Sequence, residues 1–171
     1  PTVAIHVWYR VGGKDDPQGK SGFAHMFEHM MFKSTRNMPN EKMDRLTEDV
    51  GGFNNASTWD DFTNYYEVVP SNHLESLLWA EADRMRGLRL DRREVDAERR
   101  VIREEIDMYR DDPWDALEME VLAALFPGHP YGRPVLGSPE ELRAEGAREL
   151  AAFHERHYRP DNAILVVAGD L

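Results

Sequence analysis

Apolar and polar positions alternate from the start of the chain. Thr2-Val3-Ala4-Ile5-His6-Val7-Trp8-Tyr9 reads as a strand, and a polar, glycine-bearing turn from Gly12 to Gly19 follows it. The pattern then predicts a helix from about Ser21 to Lys33, with Ser21 available as N-cap. Asn40 is placed to cap a second helix that Gly51-Gly52 would end. Phe53 to Thr58 and Thr63 to Val69 read as two short strands closed by Pro70. Ser71 opens a third helix whose apolar residues Leu74, Leu77, Leu78, Ala82 and Met85 recur at helical period. Asp91 caps a long helix reaching about Arg110, and Pro113 suits the first turn of the next. Beyond the loop Pro127 to Pro134, Ser138-Pro139-Glu140-Glu141 has the form of a capping box. A last helix carries Leu150 and Phe153, and a closing strand begins near Asn162. Strands and helices are segregated rather than strictly alternating, which predicts an α+β domain: a mixed sheet with helices packed on it.

A chain of 171 residues holds one well-buried domain and not two comfortable ones. The first strand starts at Thr2 and the last runs almost to Leu171, so residues 1–171 read as a single catalytic domain cut at both ends from a longer chain, with any later domain absent. No apolar run has the length of a membrane span. The net charge of −11 argues against a nucleic-acid partner, and the arginines from Arg84 to Arg103 are interleaved with acids, as on a solvated helix face. There is no cysteine, which excludes disulfides, thiolate metal sites and cysteine nucleophiles.

The chemistry concentrates in His25-Met26-Phe27-Glu28-His29. Two imidazoles four residues apart on a helix sit one above the other and can share a metal, and Glu28 lies on the turn between them. This is the inverted form of the His-Glu-x-x-His zincin pattern. On a helical wheel Phe23, Met26, Phe27, Met30 and Met31 make one apolar face, and His25, Glu28, His29 and Phe32 fall opposite. The apolar stripe already supplies the packing, so the polar set is free to floor a cleft, with Phe32 as a candidate lining of a side-chain pocket. A catalytic zinc with three protein ligands needs a third, which must be His, Asp or Glu here. On the helix after Asp91, Glu98 and Glu105 border the apolar stripe of Val95, Ile102, Ile106 and Tyr109, while Glu104 points away. Glu105 is therefore the expected third ligand, and Glu98 a carboxylate that orients a ligand or tunes the site in support of catalysis. His154 and His157 read as solvated, His73 and His129 as surface or packing residues, and His6 stays unassigned.

The stretch from Gly22 to Lys33 resembles the active-site helix of the insulinase, or pitrilysin-type, metallopeptidases, which include the mitochondrial processing peptidases. Glu98-Arg99-Arg100-Val101-Ile102-Arg103-Glu104-Glu105 resembles that family's second signature, in which the last glutamate binds zinc and one seven positions earlier assists. Asn54 to Thr58, Thr63 to Tyr66, His129 to Gly132 and Asn162 to Asp170 extend the similarity over essentially the whole chain. The resemblance implies a processing-peptidase-like half with a largely antiparallel sheet and one Zn2+. It also implies an edge strand, with Asn55, Ala56, Ser57 and Thr58, that pairs with an extended peptide substrate. A second homologous domain or subunit would complete the active site with an Arg and a Tyr that match nothing here. A bacterial periplasmic or otherwise exported enzyme fits this picture.

The expected reaction is zinc-dependent hydrolysis of peptide bonds in extended peptides or unfolded segments, with Glu28 as general base toward a zinc-bound water. The small quorum-sensing lyase has a similar helix, but it uses a cysteine ligand that is missing here. A non-catalytic structural or zinc-binding subunit of a peptidase complex is the alternative, and such subunits are expected to have lost ligand residues. A fourth protein ligand would mark a structural zinc.

Overall fold

The computed structural model describes residues 1–144 and 146–171. Four strands, β1 (Thr2–Tyr9), β2 (Phe53–Thr58), β3 (Thr63–Pro70) and β4 (Ala163–Gly169), form one sheet in the order β2-β3-β1-β4. Every pairing is antiparallel, with Ala56 opposite Tyr65, Tyr65 opposite Val7, and Val7 opposite Leu165. The α+β expectation holds, and β2 is an edge strand as expected.

The helices are α1 (Phe23–Met30), α2 (Lys42–Glu48), α3 (Leu74–Gly87), α4 (Arg92–Asp111), α5 (Pro113–Leu125), α6 (Pro139–Ala144) and α7 (Ala147–His157). Alternate residues of β1, namely Val3, Ile5, Val7 and Tyr9, are buried toward them. Val7 and Tyr9 join a core with α1, α4 and α7, whereas Val3 and Ile5 join a second one with Met43 of α2 and Leu77 and Ala80 of α3. Phe32 packs against both. His6, left open by the sequence, lies on the other face of the sheet, stacked on Tyr66 with ring centroids 5.3 Å apart.

Two expected helix starts hold: the Asp91 carboxylate accepts from the N–H groups of Arg93 and Glu94, and Pro113 stands in the first turn of α5, whose cap Asp112 accepts from Trp114 and Asp115. The start of α1 differs. Gly22 occupies the N-cap with φ 99°, where a Cβ would meet the Leu136 carbonyl oxygen at 2.8 Å. Asp16 supplies the cap from the preceding loop, accepting from Gly22 N–H at 2.7 Å and Ala24 N–H at 2.9 Å. Ser21 turns away, and both its N–H and its hydroxyl donate to Glu141. Glu141 is thereby drawn out of its own capping box, of which only the Glu141 N–H to Ser138 bond forms.

Candidate metal centre

α1 and α4 pack together and bring three donors to one point: His25, His29 and Glu105 offer ligand atoms that all lie within 4.8 Å of one another. Nε2 of His25 is 3.5 Å from Oε2 of Glu105, and Nε2 of His29 is 3.4 Å from the same oxygen. Tetrahedral bonds of about 2.0–2.1 Å place neighbouring ligand atoms roughly 3.3 Å apart, so the two imidazoles and one carboxylate fit a zinc ion with an open fourth position.

The surroundings fix this arrangement. His29 donates from Nδ1 to Glu98 at 3.1 Å, so Nε2, the nitrogen facing Glu105, is the one a metal would take in exchange for its proton. Lys33 holds the other oxygen of Glu98 at 2.8 Å. His25 is only 6% exposed. Burial, aided by the nearby charge of His29, draws its pKa down to about 4, against the opposing pull of Glu105. For His29 burial works the same way, but hydrogen bonds to Glu105 and Glu98 outweigh it and lift the group to about 9. The Glu98 carboxyl is held low, chiefly by its hydrogen bond to His29. Burial raises Glu105, yet the two histidines bring it below its ordinary value. Glu28 goes the other way: burial raises it, and Thr58 and His29 only partly offset that. A carboxylate biased toward taking a proton beside these three donors suits a general base.

A cleft of about 430 Å³ opens at this point. Its wall includes His25, Glu28 and Glu105, the edge-strand residues Ala56, Ser57 and Thr58, and Tyr109 of α4. The lining also takes in Asp115, Glu118, Met119 and Leu122 of α5 and the loop Gly132 to Leu136. Asn55 is exposed on β2 outside the cleft, and its side chain accepts the Ala56 N–H at 2.8 Å.

Phe32 is not part of this wall, contrary to the wheel. α1 ends at Met30, so a helical angle no longer describes residue 32; its ring packs against Tyr65 and the Arg84 guanidinium instead. His154 is likewise not solvated: it stacks on Tyr158 at 5.3 Å and tilts against Phe27, and burial lowers its pKa to about 4. Three residues around the site are not marked by the sequence. Asp16 acts from a loop, and Lys33 acts through Glu98, distant in sequence. Tyr109 belongs to the apolar stripe yet also lines the cleft. Only Tyr109 carried a usable signal, being one turn beyond Glu105 on the same helix.

The sequence profile described as Insulinase (Peptidase family M16) matches residues 1–139. This chain belongs to the insulinase family. An uncharacterized zinc protease of Mycobacterium leprae is 39% identical to this insulinase-family chain over 99% of its residues and 38% of the relative. The zinc protease PqqE of Helicobacter pylori is 34% identical, with 99% and 38% covered. Among solved structures, a protease from Helicobacter pylori superposes with a TM-score of 0.94 at 33% identity, over 99% of this chain and 41% of that one. The periplasmic protease PqqL from Escherichia coli does so with a TM-score of 0.89 at 26% identity, over 99% and 20%. The chain thus spans about two-fifths of the curated relatives it matches. The family and the names of these relatives support a peptidase-type function.

Proposed function

We propose that this chain carries the metal centre of a zinc-dependent endopeptidase, with His25, His29 and Glu105 holding one Zn2+ and Glu28 as general base. The observation that carries the reading is the convergence of both Nε2 atoms on Glu105 at 3.4 and 3.5 Å, in a cleft that also contains Glu28. Zinc bound there supplies Lewis-acid polarisation of a carbonyl and acidifies water. The Glu28 carboxylate accepts the proton of the attacking water and passes it toward the leaving amine. Glu98 keeps the His29 proton on Nδ1 and so keeps Nε2 aimed at the metal position. Edge strand β2, through Ala56, Ser57 and Thr58 with Asn55 at its outer side, holds an extended peptide by strand addition. Such a substrate is a peptide or unfolded segment, because a folded protein rarely offers a free strand.

A second homologous domain or subunit completes the cleft. α5 buries none of its residues, and it exposes Trp114, Leu117, Val121 and Leu125 at helical spacing while lining the cleft with Asp115, Glu118, Met119 and Leu122. An apolar stripe of that kind marks an interaction surface.

The test is metal content and cleavage of a quenched unstructured peptide by the full-length protein, before and after chelation. One zinc per chain, activity lost on chelation and restored by zinc are the expected results. Zinc retained without any cleavage would favour a structural, zinc-binding subunit.

A further inference from the structure

Outside the cleft, a cluster of ionisable groups among the described residues is sealed in the core. Arg84 of α3 is 0% exposed and meets Glu81, one turn earlier, and Glu67 of β3. Its Nε donates to Glu81 at 2.9 Å and its Nη2 to Glu67 at 2.9 Å. Replacing such a buried cluster by apolar residues is often neutral or stabilising, so its presence calls for a reason other than stability.

The aromatic neighbours supply one. The guanidinium lies over the Tyr65 ring, 4.5 Å from its centroid, and 5.7 Å from the centroid of Phe32. Tyr65 and Glu67 are two apart on β3 and so share the inner face of the sheet. The Tyr65 hydroxyl donates at 2.9 Å to the carbonyl oxygen of Phe27, the residue before Glu28. That oxygen already accepts the helical bond from Met31 N–H at 3.0 Å. The Tyr65 bond is therefore extra to the helix's own ladder. It ties the backbone of α1, between the two histidines, to the central part of the sheet. Phe32, two residues beyond the end of α1, lies beside the same guanidinium. An α-helix resting on methionines can roll, because thioether side chains repack readily; a directional hydrogen bond resists rolling.

We infer that Arg84 and Tyr65 are positioning residues for the metal helix: Arg84, locked by Glu67 and Glu81, holds the Tyr65 ring, and the Tyr65 hydroxyl sets the rotation of α1 that aims His25 and His29 at Glu105. This rests on the metal-site reading above and adds to it residues that touch neither metal nor substrate.

The experiment uses the full-length protein with Co2+ in place of zinc, because the visible spectrum of cobalt reports ligand geometry directly. Tyr65→Phe removes one hydroxyl and leaves the Phe27 carbonyl paired with Met31. The expected result is a changed cobalt spectrum, metal affinity weaker by about tenfold or more, and a lower kcat at unchanged KM, while the thermal midpoint moves only a few degrees. Arg84→Lys keeps the charge but loses the flat fork over the ring, and should reproduce that spectral change. Wild-type spectra and affinities in a folded Tyr65→Phe protein would overturn the inference and leave the metal site standing. A wild-type protein that binds neither cobalt nor zinc would instead overturn the metal-site reading, and this inference with it.

Discussion

His29 donates from Nδ1 to Glu98 at 3.1 Å, and Glu98 lies two helical turns before Glu105 on α4. One helix thus presents a carboxylate to each side of the same imidazole. Glu98 accepts the Nδ1 proton from behind while Glu105 converges with Nε2 in front. Glu98→Ala should keep all three donors yet weaken zinc binding by about 10–100-fold, as loss of an orienting partner does in other metal sites. Zinc titration against a competing chelator measures this. Unchanged affinity would show that packing alone orients His29.

Glu28→Gln separates chemistry from metal binding. The amide keeps the shape of the side chain but cannot accept a proton. Zinc content should stay near that of wild type while peptide hydrolysis falls by about 10²–10⁴-fold. Loss of zinc in this variant would make Glu28 a ligand rather than a base.

Glu104 and Glu105 are adjacent, yet only Glu105 faces the histidines. The Glu104 side chain is 76% exposed and lies within ion-pair range of Arg103. Glu105→Gln should lower zinc affinity sharply, and Glu104→Gln should change neither affinity nor activity measurably, with circular dichroism confirming the fold of both. The reverse order would require a different rotation of α4.

Stability should depend on pH through Glu67. Burial, reinforced by the charge of Glu81 and opposed by Arg84, raises its pKa from 4.5 to about 9. Between those values the folded state holds a proton that the unfolded chain has released. The contribution is complete below the unfolded pKa and is lost as pH rises through the folded one. Glu67→Gln has no such proton. Wild type should therefore lose stability relative to this variant as pH rises from about 5 to 9, as measured by urea midpoints, and level off above. Parallel curves would mean that Glu67 is ionised in the fold.

The two helices that carry the candidate ligands are legible because a helical wheel needs only local periodicity. Phe23, Met26, Phe27, Met30 and Met31 are all buried, so the opposite face was found correctly, and the stripe of Val95, Ile102 and Ile106 fixed the side on which Glu105 lies. Phe32 departs from the wheel because α1 ends at Met30. The Arg84 cluster was illegible for a different reason. An arginine three residues after a glutamate reads as a solvated pair, and the partner that makes it a core element, Glu67, lies on a strand formed earlier in the chain. On α3 the buried residues are Leu77, Ala80, Glu81 and Arg84, while Ala82 is exposed and Met85 packs half-buried against the core. Asp16 was invisible for the same cause: it caps α1 from a loop, at a separation no capping motif describes.

The seat of α1 also has an oxidation chemistry. Met26, Met30 and Met31 are at most 1% exposed beneath α1, whereas Met108 on α4 is 62% exposed. Conversion of a buried thioether to its sulfoxide puts a polar group where only apolar contact exists. Peroxide can reach those three sulfurs only while α1 is lifted from the sheet, and it reaches Met108 at any time. Their oxidation rates relative to Met108, read by mass spectrometry, therefore clock how often the helix leaves its place. A metal joining α1 to α4 should slow that clock without altering the rate at Met108.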